Sequence, residues 1–213
     1  MIPWQLYLVT DGPLSKGRPV ELIVEQALAG GVTCVQLREK NIATRDFIAL
    51  TERVLPLTRA AGVPCLINDR IDVALATNAD GVHLGQQDMP YHMARHLLGP
   101  DKIIGLSVET VEQAQAAQAL DVDYLGVSPI YCTPTKEDLQ TQFGLAGLRD
   151  VRARSQHPLV AIGGLNLQTI PDVVRTGADG IAVVSAICSA EDPRAAASEL
   201  YQCIAHAQKE PRT

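Results

Sequence analysis

Short apolar or β-branched runs recur along the chain at Leu6 to Thr10, Thr33 to Leu37, Cys65 to Ile67, Val82 to Leu84, Ile103 to Leu106, Tyr124 to Val127, Leu159 to Ile162 and Ile181 to Val184. Each is the length of a buried strand, and together they predict eight strands. Most are separated by segments in which apolar or small residues fall three and four apart, as in Ile23, Ala27 and Gly30, or Ile170, Val173, Val174 and Gly177, the spacing of one helix face. Strands joined by helical crossovers must be parallel, and eight such units in 213 residues predict a closed (β/α)8 TIM barrel rather than an open sheet. The whole chain, 1–213, is expected to be a single catalytic domain, since no linker, low-complexity tract or domain boundary interrupts the pattern.

A weak internal echo accompanies the alternation. Ala29-Gly30-Gly31-Val32, Asn78-Ala79-Asp80-Gly81-Val82, Asp121-Val122-Asp123-Tyr124 and Gly177-Ala178-Asp179-Gly180-Ile181 each precede a strand. Gly ends a helix at little steric cost and Asp favours the turn that follows, so these segments are expected to shape turns on the stability face of the barrel, with no chemistry assigned. The longest interval without a strand runs from Ile130 to Leu159 and contains a polar loop from Cys132 to Phe143. Long polar loops inside a compact domain are often functional.

Composition narrows the partners. Hydrophobic residues make up 46% of the chain and aromatic residues only 4%, as expected of an aliphatic core between a parallel sheet and its helices. The formal net charge of −6, with no basic tract, argues against nucleic-acid or membrane-surface partners, so any anion site must be local. No apolar run approaches the length of a membrane span, and the N-terminus lacks the pattern of a signal peptide, so a cytoplasmic location is expected. A homo-oligomer is compatible with the sequence. The five cysteines, Cys34, Cys65, Cys132, Cys188 and Cys203, are scattered and read as reduced thiols rather than as zinc ligands or disulfides.

Candidate chemistry collects at the strand ends. In the segment Gln36-Leu37-Arg38-Glu39-Lys40, alternation puts Val35 and Leu37 on one face and Gln36, Arg38 and Lys40 on the other, with Glu39 pointing away from the latter. Two cations at the inward mouth of a barrel demand a bound anion or partner carboxylates; a local salt-bridge network including Glu39 is the structural alternative. Asn68 and Asp69 close the third strand, Gly85-Gln86-Gln87-Asp88 the fourth and Ser107 the fifth. Any of these can be a helix cap. Asp69 and Asp88 can also supply two hard oxygen ligands to Mg2+, and with Arg38 and Lys40 nearby a metal-bound diphosphate is chemically sensible. Thr133, Thr135 and Lys136 lie on a loop able to close over anionic oxygens. Gly163-Gly164 permits close backbone approach, and Val184-Ser185 stands where barrels often place a phosphate, which implies a second anionic group. His83 reads as a satisfied interior histidine, Cys132 as lacking a base partner, and His92 and His96 as surface residues.

Gln36-Leu37-Arg38-Glu39-Lys40, Asn68-Asp69, Gly81-Val82-His83-Leu84-Gly85-Gln86-Gln87-Asp88, Gly105-Leu106-Ser107, Thr133-Pro134-Thr135-Lys136 and Gly163-Gly164, in this order, resemble thiamine-phosphate synthase. The resemblance implies a Mg2+-dependent transferase that joins hydroxymethylpyrimidine diphosphate to a thiazole phosphate, forming thiamine phosphate and pyrophosphate. It also implies roles: Gln36, Arg38, Lys40, Asn68, Ser107 and Lys136 toward the pyrimidine diphosphate, with Arg38, Lys40, Ser107 and Lys136 as the catalytic set. Asp69 and Asp88 would hold the metal, and Thr133, Thr135, Gly164, Val184 and Ser185 would receive the thiazole phosphate. Gln87 and Cys132 depart from the family pattern, which often has an acid at the first position and Pro or Ala at the second. The alternatives are a thiazole tautomerase-like relative, a non-catalytic ligand-sensing barrel, and a sugar-phosphate isomerase on the same fold.

Overall fold

A computed structural model describes residues 4–132 and 142–212. Eight strands alternate with helices: β1 (Leu6–Val9), α1 (Val20–Ala29), β2 (Cys34–Leu37), α2 (Thr44–Ala61), β3 (Cys65–Asn68), α3 (Ile71–Thr77), β4 (Gly81–Leu84), α4 (Tyr91–Leu98), β5 (Ile103–Val108) and α5 (Val111–Ala116). They continue as β6 (Tyr124–Val127), α6 (Gly144–Arg154), β7 (Leu159–Ile162), α7 (Ile170–Thr176), β8 (Gly180–Val183), a one-turn α8 (Ser185–Cys188) and α9 (Pro193–Ala207). All strand pairs are parallel, and the sheet closes where β1 meets β8, with Leu6 opposite Ile181 and Leu8 opposite Val183. The expected (β/α)8 barrel is the observed one, and every expected strand matches an observed strand to within two residues.

The period of two sorts each strand between two cores. Outward residues, among them Leu6 and Leu8 of β1, Val35 and Leu37 of β2 and Val82 and Leu84 of β4, join the aliphatic layer beneath the helices. Inward residues Tyr7, Val9, Cys34, Leu66, Tyr124, Val160 and Ala182 fill the barrel floor with Trp4, which packs its ring 4.3 Å from that of Tyr124. Few as the aromatic residues are, three of them meet inside the barrel.

The repeated turns have a definite task at the N-terminal rim. The carboxylate of Asp80, just before β4, accepts from the Cys65 N–H at the start of β3 at 2.8 Å. Asp123, before β6, does the same for Ile104 of β5 at 2.8 Å, and Asp179, before β8, for Leu159 of β7 at 2.8 Å. Directly after the remaining echo, Ala29 to Val32, the Thr33 hydroxyl before β2 takes the Leu6 N–H of β1 at 3.0 Å. Each residue also donates its backbone N–H to the carbonyl of the residue that it clips. These bonds satisfy strand-start donors that would otherwise face the rim unpaired, so the turns are structural, as expected.

Candidate active site

At the opposite, C-terminal mouth lies a cavity of about 690 Å3, lined by Gln36, Arg38, Lys40, Asn68, Asp69, Asp88, Ser107, Gly164, Val184 and Ser185. The barrel thus brings together ten of the site residues expected from the sequence. Thr133, Thr135 and Lys136 lie outside the described residues, although Cys132, which leads into them, is exposed at the cavity edge.

Inward parity places Gln36, Arg38 and Lys40 of β2 and its extension at the mouth, while Glu39 turns to the outer side, where Thr10 Oγ1 lies 3.4 Å from its carboxylate. Burial first, then the neighbouring Asp11 charge, pushes the Glu39 carboxyl above its ordinary value. Arg38 is anchored instead by Asp11, which follows β1, through an ion pair of 3.1 Å with both side chains mostly buried. Among the described residues Asp11 is therefore the carboxylate in ion-pair range of the stripe, which was not read from the sequence, while Glu39 feels the Arg38 and Asp11 charges without an ion pair of its own. Lys40 stands exposed at the rim.

The capping reading of the strand-end polar residues does not hold. The cap positions of α3 and α4 are Arg70 and Pro90, and that of α5 is Thr110, whose hydroxyl accepts from Gln113. Asn68, Asp69, Asp88 and Ser107 are left facing the cavity. Asp88 folds its own turn by accepting from the Gly85 N–H at 2.7 Å. Asp69 sits in the left-handed region at φ 61, a conformation that Asp and Asn tolerate better than other non-glycine residues and one that marks functional positions. Its carboxyl is pushed up to about 6 by burial first, then by its hydrogen bond to Asp88 and the Asp88 charge, against the lowering influence of Lys40 and Arg38. Two carboxylates held this close favour sharing a proton or a cation. Among the described residues no group of three or more His, Cys, Asp or Glu side chains is placed to hold a metal, so a cation there would need further oxygens from a ligand.

Across the mouth, Gly163 and Gly164 follow β7 with φ of 105 and 65. A Cβ on Gly164 would come within 2.8 Å of the Cys132 carbonyl oxygen, so glycine is required both by conformation and by the loop packed over it. Val184 and Ser185 follow β8 on the same side.

The barrel floor holds polar groups that the strand-end reading missed. Gln36 Nε2 donates to the Tyr7 hydroxyl at 2.9 Å, Tyr7 and Tyr124 share a hydrogen bond of 2.8 Å, Tyr124 meets His83 Nδ1 at 2.7 Å, and His83 Nε2 meets Ser107 Oγ at 2.8 Å. Burial foremost drives both tyrosine hydroxyls well above their ordinary pKa, so they stay protonated. His83 is satisfied on both ring nitrogens, as expected, yet it also lines the cavity. Parity was the available signal: Tyr7 lies between Leu6 and Leu8, His83 between Val82 and Leu84, and Tyr124 two residues before Gly126.

A parallel barrel whose mouth carries cations and paired carboxylates on one side and a glycine cradle on the other defines a class of (β/α)8 enzymes acting on multiply anionic small molecules. Comparison with known proteins narrows this further. The family model described as thiamine monophosphate synthase matches residues 6–187. A thiamine-phosphate synthase from Albidiferax ferrireducens is 54% identical over 94% of this chain and 91% of its own length. One from Chloroflexus aurantiacus is 48% identical over 98% and 96%. The solved thiamine phosphate pyrophosphorylase from Pyrococcus furiosus superposes with a TM-score of 0.89 at 40% identity, covering 97% of this chain and 98% of that one. Orotidine 5'-phosphate decarboxylase from Pyrococcus horikoshii, with a TM-score of 0.68 at 16% identity, shares the fold alone. The chain belongs to the thiamine-phosphate synthase family.

Proposed function

We propose that this chain condenses 4-amino-2-methyl-5-hydroxymethylpyrimidine diphosphate with 4-methyl-5-(2-phosphoethyl)thiazole, or its carboxylated form, to give thiamine phosphate and pyrophosphate, with carbon dioxide also released from the carboxylated form. The observation that carries the reading is the meeting of Arg38 and Lys40 with the Asp69–Asp88 pair on one side of a single cavity. A diphosphate leaving group needs that combination of direct cations and hard oxygen ligands.

In this reading the bond between the pyrimidine methylene and the diphosphate oxygen breaks first, and its electron pair leaves with the diphosphate. The thiazole nitrogen then donates its lone pair to the pyrimidine-methyl cation, so the positive charge ends on the thiazolium ring and no general base is consumed. Arg38, Lys40 and Lys136 meet the charge that accumulates on the departing oxygens, where preorganised cations contribute most. Asn68 and Ser107 hold the pyrimidine end with Gln36. Thr133, Thr135, Gly164, Val184 and Ser185 receive the thiazole phosphate and keep its nitrogen in line with the methylene. The Asp69–Asp88 pair fits Mg2+, because two hard carboxylates meet at the cavity and the nearby Lys40 and Arg38 do not offset the burial and mutual charge that raise Asp69. When bound there, Mg2+ supplies further neutralisation of diphosphate charge.

The substrates are small phosphorylated heterocycles, and among the described residues no helix is long and apolar enough to cross a membrane. Both substrates are charged and do not diffuse through bilayers, so we place the reaction in the cytoplasm. An isomerase of the thiazole phosphate alone would have no use for the diphosphate-facing residues. The test is turnover of the two phosphorylated heterocycles with and without Mg2+. Product is expected only with Mg2+, and Lys136→Ala should cut turnover by at least about tenfold. Absence of thiamine phosphate under every condition defeats the proposal; unchanged turnover after thorough chelation defeats its metal.

A further inference from the structure

We propose that Tyr7, Tyr124 and His83 are positioning residues that fix the hydrogen-bond sense of the pyrimidine pocket, making Ser107 a donor and the Gln36 carbonyl an acceptor toward the ring. The inference rests on the pyrimidine substrate argued above and adds to it a basis for discriminating between rings.

Proton counting along the buried chain carries the argument. Gln36 Nε2 donates to the Tyr7 hydroxyl at 2.9 Å, which leaves Tyr7 one proton of its own. The tyrosine pair at 2.8 Å needs one donor, and a phenol has only one proton to give. If Tyr7 donates to Tyr124, then Tyr124 donates to His83 Nδ1 at 2.7 Å, and the imidazole carries its proton on Nε2, 2.8 Å from Ser107 Oγ. The Tyr7, Tyr124 and His83 protons then each lie in a hydrogen bond to oxygen or nitrogen, whereas with Gln36 Nε2 donating to Tyr7 the opposite sense leaves the fully buried Tyr7 proton only the Cys34 sulfur beside it. With Ser107 Oγ accepting from His83, its own O–H is committed to the cavity. Because the Gln36 amide turns its nitrogen to Tyr7, spending one of its two N–H donors there, its carbonyl oxygen is the end of the amide turned away from the floor and toward a ligand.

The two ends are therefore unlike, one donor and one acceptor, and the links between them keep them so. An aminopyrimidine matches this pair: its exocyclic amine donates and its unprotonated ring nitrogen accepts. The corresponding oxo ring presents a carbonyl and an N–H, reversed at both ends, and would leave buried polar groups facing like groups. Space for the links is cleared by inward glycines. A Cβ on Gly105 would lie 2.1 Å from Tyr124 Cζ, and one on Gly126 would lie 3.0 Å from His83 Cε1, so both strands forgo a side chain where the relay passes. Tyr7 and Tyr124 are fully buried and His83 and Ser107 half-buried at the cavity, and among the described residues no buried side-chain nitrogen or oxygen lacks a partner, so a reversal has to turn every link at once.

The test uses Tyr124→Phe, which keeps the ring packed against Trp4 and removes one link, with Tyr7→Phe as a second variant should the first fail to fold. Nitrogen NMR of the substrate-free wild type should show His83 protonated at Nε2, and the Tyr124→Phe protein should show a mixture of tautomers. The ratio of kcat/KM for the amino substrate to that for the 4-oxo analogue should fall at least about tenfold in either variant, while KM for the thiazole phosphate stays unchanged. In a Ser107→Ala background, Tyr124→Phe should add little further loss, because the relay acts through Ser107. An Nδ1-protonated His83, an unchanged amino-to-oxo ratio, or additive losses would each overturn the proposal. A wild type that makes no thiamine phosphate would instead overturn the function proposed above, and the tautomer measurement would still decide the sense of the relay.

Discussion

Replacing Asp69 by Asn separates what the carboxylate pair costs the fold from what it does for the reaction. Asn keeps the side-chain shape and tolerates the left-handed backbone at φ 61, so the change removes charge without adding strain. The rise of the Asp69 carboxyl from 3.8 to about 6 corresponds to roughly 3 kcal/mol at about 1.4 kcal/mol per pKa unit. Solvent reaches this half-buried pair at the mouth, and screening reduces the part felt by folding to about 1 kcal/mol. For a domain of this size that is a gain of about 2 to 4 °C in Tm for the variant in magnesium-free buffer near neutral pH. A raised carboxyl pKa means that the folded state binds the extra proton. Metal-free wild-type stability is therefore lost as pH rises from 3.8 through about 6, and the advantage of Asn appears only above that window. Magnesium should raise the Tm of the wild type more than that of the variant, and turnover of the variant should fall at least about tenfold. Differential scanning calorimetry across pH, with and without magnesium, reads the first effects; the turnover assay reads the last. A variant that melts no higher than wild type without magnesium, yet gains as much from magnesium and turns over normally, refutes the reasoning.

Two further outcomes follow from other parts of the mouth. Glu39, raised by burial and by Asp11, weakens the fold when charged, so Glu39→Gln should raise Tm near neutral pH by about 2 °C or less. That gain should fade as pH falls through the range in which the raised wild-type carboxyl takes up its proton; thermal melts across pH check this, and a gain independent of pH counts against it. Gly164→Ala places a Cβ 2.8 Å from the Cys132 carbonyl oxygen at a φ of 65, which must move the loop over the cradle. KM for the thiazole phosphate should rise about tenfold or more, with KM for the pyrimidine diphosphate little changed, and steady-state kinetics with each substrate varied in turn will show whether the losses divide this way.

Period and parity made the barrel legible. Alternation in β2 placed Gln36, Arg38 and Lys40 at the mouth and turned Glu39 away, because a strand fixes the side of each residue without reference to its neighbours. Strand-end polar residues were legible for the same reason. What escaped was pairing across strands: Asp11 follows β1 and meets Arg38 beyond β2, and Tyr7, His83 and Tyr124 come from β1, β4 and β6. Contacts at such separation depend on closure of the barrel and on which inward positions are glycine. The reason for glycine at 105 and 126 shows only once the Tyr124 and His83 side chains are seen to occupy the space that they vacate.

The clips at the N-terminal rim divide the barrel into four two-stranded modules. Thr33, Asp80, Asp123 and Asp179 each tie an even-numbered strand to the odd one before it, so a break in the chain between α4 and β5 severs no clip, whereas a break between β3 and β4 severs one. The two halves of a chain opened near Gly99 would each keep two intact modules, with the sheet edges of β1, β4, β5 and β8 left to find one another. Such a chain would assemble from its parts more readily than one cut in the middle of a module. The plainest residues in the sequence, the recurring aspartates of its turns, would then mark where the barrel can be taken apart and rebuilt.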